Sequence, residues 1–250
     1  MADVMTILPD LAPLALACLV AFLASVLGGL SGFGTGLVLP AFLAPLVGVG
    51  AVVPVMAVAM LFNNGGRVFA FWRDIEWTHL RRMLWLGLPG CVAGAYGYTL
   101  LSSDAIALGL GVFLLASVPL RRALRAANLR FSPALQVVAG GGFGFVNGGM
   151  SGAGILLISF LMAADLAGSA LIATDALISF IMGVAKVALF GSLAALSASQ
   201  VSIGLVVGVC TAPGAFVARW LLRRIPAGLH AWIMEAVVML GAVSLLRQGF

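Results

Sequence analysis

Along the chain, long apolar runs alternate with short interruptions rich in Gly, Pro or Arg. The runs are too long for strands, and together they predict ten helical pieces: 11–27, 37–47, 49–72, 77–101, 104–121, 133–147, 154–164, 167–191, 198–224 and 228–246. Most are long enough to cross a hydrocarbon core of about 30 Å. Two are not. At the helical rise, 37–47 and 154–164 each reach about 16 Å, roughly half the distance. The expectation is an all-α polytopic membrane protein, a single integral domain over 1–250, with two helices that are re-entrant or parts of broken spans.

Both short pieces follow a glycine cluster, and the two clusters are copies. "GGLSGFG" at 28–34 and "GGMSGAG" at 148–154 share Gly, Gly, Ser, Gly and Gly at matching places. Each is followed by a short apolar helix, then by a longer one carrying a lone cation, Arg67 or Lys186. A helix interrupted by Pro-Gly comes next, at Pro89-Gly90 and again at Pro213-Gly214. The chain therefore reads as a first repeat over 11–121, a basic linker over 122–132 and a second repeat over 133–246. An odd number of pieces per repeat starts the second half on the opposite side of the membrane. That makes the repeats inverted, an arrangement characteristic of secondary transporters whose sites lie at matching Gly/Pro-interrupted segments near the midplane.

Composition agrees with the pattern. The chain is 63% hydrophobic and 8% charged, with mean hydropathy +1.20, against about 25% charged residues in a soluble domain. Its net charge of +5 is not a nucleic-acid footprint, because the arginines fall in short loops beside apolar runs. Arg73, Arg81 and Arg82, then Arg121, Arg122, Arg125 and Arg130, then Arg219, Arg223 and Arg224 share one side of the alternating path. The connections near 48, 102, 148 and 195 carry no Lys or Arg. The positive-inside rule makes the Arg loops cytoplasmic and puts the N-terminus outside. Trp72, Trp77, Trp85, Trp220 and Trp232 cluster around the same loops as interfacial anchors. Asp3 and Asp10 in the opening residues argue against a signal peptide. Cys18, Cys91 and Cys210 lack ligand spacing and read as small core residues, and His79 and His230 lie near the cytoplasmic boundary without metal-ligand partners.

The candidate chemistry is anion binding. A helix starting inside the membrane points unpaired N–H groups and about half a positive charge into the interior, around 34–38 and 153–157. Gly32, Gly34, Gly36, Gly152 and Gly154 let backbone approach a ligand, while Ser31, Thr35 and Ser151 add hydroxyl donors. The competing reading of the glycines is helix packing through small-xxx-small patterns such as Gly148-x-x-x-Gly152. Asn63, Asn64 and Asn147 are interhelical glue or site lining, with lining favoured for Asn64 and Asn147. Asp175, about 12 Å into its helix at the helical rise, is either a proton or Na⁺ coupling group or is satisfied by Thr174 and a polar neighbour. Arg67 and Lys186 each lie near a helix end, placed either to snorkel or to line an anion path.

These motifs, with "VVPVMAVAMLFNNGGRVFAFWRDIEW" and "LIATDALISFIMGVAKVALFG", give a chain that resembles the TauE/SafE sulfite exporter family of bacterial permeases over most of its length. The resemblance implies transport of a sulfur-containing anion such as sulfite, thiosulfate or an organosulfonate, usually outward. The chain departs from the family pattern at Thr35, where a glycine is common, at Val53-Pro54 in place of an Ala-Thr step, and at Asp175. The alternatives are an anion channel with two re-entrant pore loops and a transporter for a different small organic anion. No Ser/His or metal-ligand constellation lies at membrane depth, so the chain is read as a non-enzyme needing no cofactor or metal. Its expected partners are the anion, the lipid bilayer and a coupling proton or Na⁺, and no nucleic acid. Oligomeric state is left open, a homodimer included.

Overall fold

The computed structural model describes residues 11–31, 34–126 and 130–221. Gly32 and the helix expected over 228–246 lie outside the described residues. The rest is helical, with no strand among the described residues. The first half contributes α1 (Leu11–Ser31), α2 (Gly34–Val47), α3 (Val49–Phe71), a 3₁₀ turn at Trp72–Asp74, α4 (Trp77–Thr99) and α5 (Ser103–Ala126). The second contributes α6 (Pro133–Gly149), α7 (Gly154–Ala163), α8 (Gly168–Ser192) and α9 (Ala198–Leu221).

Three boundaries differ from the sequence reading for one physical reason. Hydrocarbon offers no hydrogen-bond partner, so helix continues wherever it can satisfy its own backbone. α1 runs through Gly28 and Gly29 to Ser31, and α2 starts already at Gly34. α5 absorbs Arg121, Arg122 and Arg125, good helix formers, which shortens the expected linker. The Pro-Gly steps do not interrupt their helices: α4 runs through Pro89 and α9 through Pro213. In both helices the proline faces outward while the glycine beside it meets a neighbouring helix. Local start signals are conventional. Ser132 accepts a hydrogen bond from Leu135 N at 3.3 Å, and Pro133 opens α6.

The long apolar helices α3 and α8 lie against each other at the centre. α9 packs on α1 and α3, and α4 packs on α6 and α8, so the first helix of each half rests on the fourth helix of the other. The α4–α6 contact is backbone on backbone. A Cβ at Gly144 would collide with the carbonyl of Gly87, one at Gly94 with the carbonyl of Phe145, and one at Gly140 with the carbonyl of Met83. Such closeness serves helix association in lipid, where dispersion and weak polar contacts replace the hydrophobic effect.

Two hairpins turn inward. Phe131 N, just ahead of α6, donates to Ala163 O at the end of α7 (2.7 Å), and the Phe131 and Phe160 rings lie 5.3 Å apart. α7 thus returns to the end where α6 began. The connection near 148 is inside the molecule, where Gly152 meets Gly36. α2 leaves that meeting point in the other direction. Its far end adjoins Val49 and Gly50, whose carbonyls each accept from Tyr98 Oη at 3.2 Å.

Polarity is inside out relative to a soluble protein. Phe69 and Trp85 are 86% and 76% exposed, whereas Asn63, Asn64, Arg67, Ser151, Thr174, Asp175 and Thr211 are buried. Lipid covers the first set at no cost, and the second must be satisfied within the chain. The protein is an all-α membrane protein.

The α4–α6 contact predicts that Gly144→Val destabilises the protein by at least about 1–3 kcal/mol through overpacking. Gly142→Ala, with nothing within 4 Å of the new methyl, should be neutral. Thermal unfolding in detergent compares the two.

Candidate functional site

The glycine motifs converge because each inward hairpin ends near the middle of the molecule. Gly152 has φ +87°, a conformation that favours glycine, and a Cβ there would lie 3.0 Å from Gly36 O and strike the Leu37 side chain. A Cβ at Gly36 would in turn meet Gly152 Cα and N at 3.1 Å. Ser151 Oγ donates to Gly36 O at 3.0 Å, tying the two motifs together.

Beside this crossing lies a cavity of about 70 Å³. It has room for a few waters or one small ion. Thr35 and Gly36 bring the first turn of α2 to it, and Ser151, Gly152, Ala153 and Gly154 bring the start of α7. The N–H groups of a helix's first turn have no acceptor within their own helix. Two helix N-termini therefore face one small space from opposite directions.

The long helices supply the walls. α3 presents Val53, Met56, Met60, Asn63, Asn64 and Arg67, and α8 presents Asp175, Ser179, Gly183 and Lys186. Both sets advance by three or four residues, one face of a helix, and both centre near the middle of their helices. The Arg67 guanidinium bonds Asp175 Oδ2 at 2.6 Å, Ile172 O at 3.4 Å and Asn64 Oδ1 at 3.5 Å. Asp175 Oδ1 is buried and without a hydrogen-bond partner among the described residues. Lys186 Nζ donates to Asn147 O at 3.0 Å, and no carboxylate faces it among the described residues. Two cations against one carboxylate, with two helix N-termini, leave the cavity electropositive.

Of the sequence candidates, Thr35, Gly36, Asn64, Arg67, Asn147, Ser151, Gly152, Gly154, Asp175 and Lys186 line this cavity. Gly34 opens α2 just before it, and Ser31 closes α1. Several expectations need revision. Arg67 and Lys186 do not snorkel, because each is held inside the molecule, Arg67 by Asp175 and Lys186 by Asn147 O. Thr174 does not satisfy Asp175, since its Oγ1 accepts from Glu76 N at 3.0 Å. The Thr35 and Ser151 hydroxyls give their protons to the carbonyls of Ala24 and Gly36, so they brace the motifs. Asn63, read as glue, lines the cavity and also accepts from Ser25 Oγ at 3.3 Å. His79 has a bland role, its Nδ1 lying 3.0 Å from Gln136 Oε1. Ser179 and Gly183 escaped notice, although stepping by four from Asp175 leads to both.

A polar cavity inside an apolar helical protein takes its context from comparison with known families. A family model described as "Sulfite exporter TauE/SafE" matches residues 17–245. The chain belongs to the TauE/SafE family. A comparison with curated proteins and one with solved structures gave no match. TauE/SafE proteins are transporters, and this one is a membrane transporter with a polar cavity between its long apolar helices.

Breaking the Arg67–Asp175 pair from either side strands the other charge. Arg67→Met or Asp175→Leu alone should cost about 3–5 kcal/mol, and the double substitution less than the sum. Denaturant unfolding of all three variants closes the cycle.

Proposed function

We propose that this TauE/SafE transporter moves a small sulfur-containing anion (sulfite, thiosulfate or an organosulfonate) outward across the bacterial inner membrane. The observation that carries the reading is the facing pair of helix N-termini, α2 and α7, at a cavity where Lys186 adds a cation that no carboxylate offsets among the described residues. An anion there accepts from the first-turn N–H groups of both short helices, closely approached at Gly36 and Gly152, and from the Lys186 protons that Asn147 O does not use. The Asn64 and Asn147 side chains complete its lining.

The exchange of partners between the halves, α1 on α9 and α6 on α4, supports two inverted repeats that alternate access at a midplane site. The Arg-bearing end, with Arg73, Arg81, Arg82 and Arg130, is then cytoplasmic, and the end with Tyr98 and Ser103 is outside. Each net negative charge leaving a negative-inside cell gains about 2.3 kcal/mol per 100 mV, which favours export of a divalent anion even when one proton accompanies it.

Flux into proteoliposomes, with sulfite, thiosulfate, sulfoacetate, sulfate and a carboxylate compared under an imposed potential, tests the substrate. Sulfur anions should move in preference to the carboxylate, and Lys186→Met should weaken their binding about 10- to 100-fold, the worth of a charged hydrogen bond. Movement of another solute with no sulfur anion moving sinks the substrate assignment. Single-channel currents would replace alternating access with a pore.

A further inference from the structure

We infer that Asp175 is a proton site opened by the transported anion, so that anion and proton are bound and carried together. The inference rests on the anion reading of the cavity and adds to it a second ligand and a coupling.

Asp175 and Arg67 line the cavity side by side, and the pair is only half satisfied. Oδ2 is held by Arg67 at 2.6 Å, while Oδ1 is buried with no partner among the described residues. The carboxylate is 1% exposed, so no bulk water solvates the orphaned oxygen. An oxyanion entering the cavity meets the same guanidinium that balances Asp175, and its oxygens compete with Oδ2 for the Nη donors. Lys186, three turns away and bound to Asn147 O, does not relieve this contest, and at the guanidinium two sets of anionic oxygens then share the same Nη donors. A proton on Asp175 resolves the conflict: one O–H bond forms, the carboxylate becomes neutral, and the new O–H is a donor that the oxyanion accepts. The proton comes from the aqueous phase that the cavity faces, and no electrons move. Because the anion favours protonation, linkage requires that protonation favour the anion by the same factor.

The other groups around α8 do not compete for this role. From α3 comes Arg67 itself. From α4 come Cys91, whose thiol is turned to Met182 O at 3.8 Å, and His79, engaged with Gln136. Arg81 and Tyr96 on α4 are exposed, Arg82 is half-buried near the same end as Arg81, and Tyr98 is bound to Val49 and Gly50. Arg73, Asp74 and Glu76 around the 3₁₀ turn are exposed, as is Asp165 in the α7–α8 loop. Neither α6 nor α7 carries a titratable side chain. On α8 itself, Lys186 sits three turns from Asp175 across the cavity, bound to Asn147 O. Asp175 is thus the carboxylate that the anion meets.

The test uses purified full-length protein in weakly buffered detergent, with methanesulfonate and thiosulfate as probes because neither titrates near neutral pH. Wild type should take up about one proton per anion bound, and on the alkaline side its apparent Kd should rise about tenfold per pH unit. In Asp175→Asn, whatever affinity remains should be flat with pH and release or absorb no protons, and Asp175→Glu should restore uptake. Binding to wild type without proton uptake overturns the inference and leaves the anion site standing. Uptake that persists in Asp175→Asn, or a requirement for Na⁺ in place of the proton, also overturns it. If neither probe binds wild type, the anion site falls and the coupling with it.

Discussion

A polar group in hydrocarbon has no solvent to fall back on, and this constraint orders the structure from its backbone outward. It keeps α1 helical through two glycines. It confines the irregular backbone between α6 and α7 to a few residues sheltered by Gly36 and Leu37. It also drives the buried side chains into reciprocal arrangements, with Ser151 on Gly36, Lys186 on Asn147 and Arg67 on Asp175. The N-termini of α2 and α7 and one oxygen of Asp175 stand outside those pairings, and all of them border the cavity. Where a membrane protein leaves polar groups incomplete, a ligand that completes them is the natural explanation.

The glycines serve two mechanical purposes that their composition alone does not separate. Along α4 and α6 they remove side chains so that two helices touch through their backbones. At 36 and 152 they let two hairpin tips cross, one of them in a left-handed conformation. Packing and binding are not rival accounts here. Gly148 meets Cys91 O and Ala95 N on α4, while Gly152, four residues on, borders the cavity. One motif both fixes the hairpin to its neighbour and delivers its tip.

Much of this was legible in the residues. Apolar run length located the nine described helices to within a few positions, because in lipid the run and the helix have the same cause. The duplicated glycine clusters marked the cavity, since backbone that turns inside a membrane needs small residues. What the sequence concealed is relational. Nothing local to Arg67 or Asp175 names the other as its partner, 108 positions away. Snorkelling was a sound expectation for a lone cation near a helix end, and a buried carboxylate on a facing helix overrode it. Likewise the hydroxyls of Thr35 and Ser151 were visible as donors, but only the fold shows which carbonyls claim them.

The brevity of α7 has an electrical consequence. Ten residues place its N-terminus at the cavity and its C-terminus beside Phe131 at one end of the molecule. The carbonyl end of its dipole is near the boundary, where water and salt screen it, while the amide end acts in a medium that screens little. α2 does the same from the other direction. At the cavity the two positive potentials add, but seen from a distance the two dipoles oppose and largely cancel. On the proposed anion reading, the pair draws the cargo inward while coupling weakly to a voltage across the membrane, so the charge that feels the potential is chiefly the cargo's own.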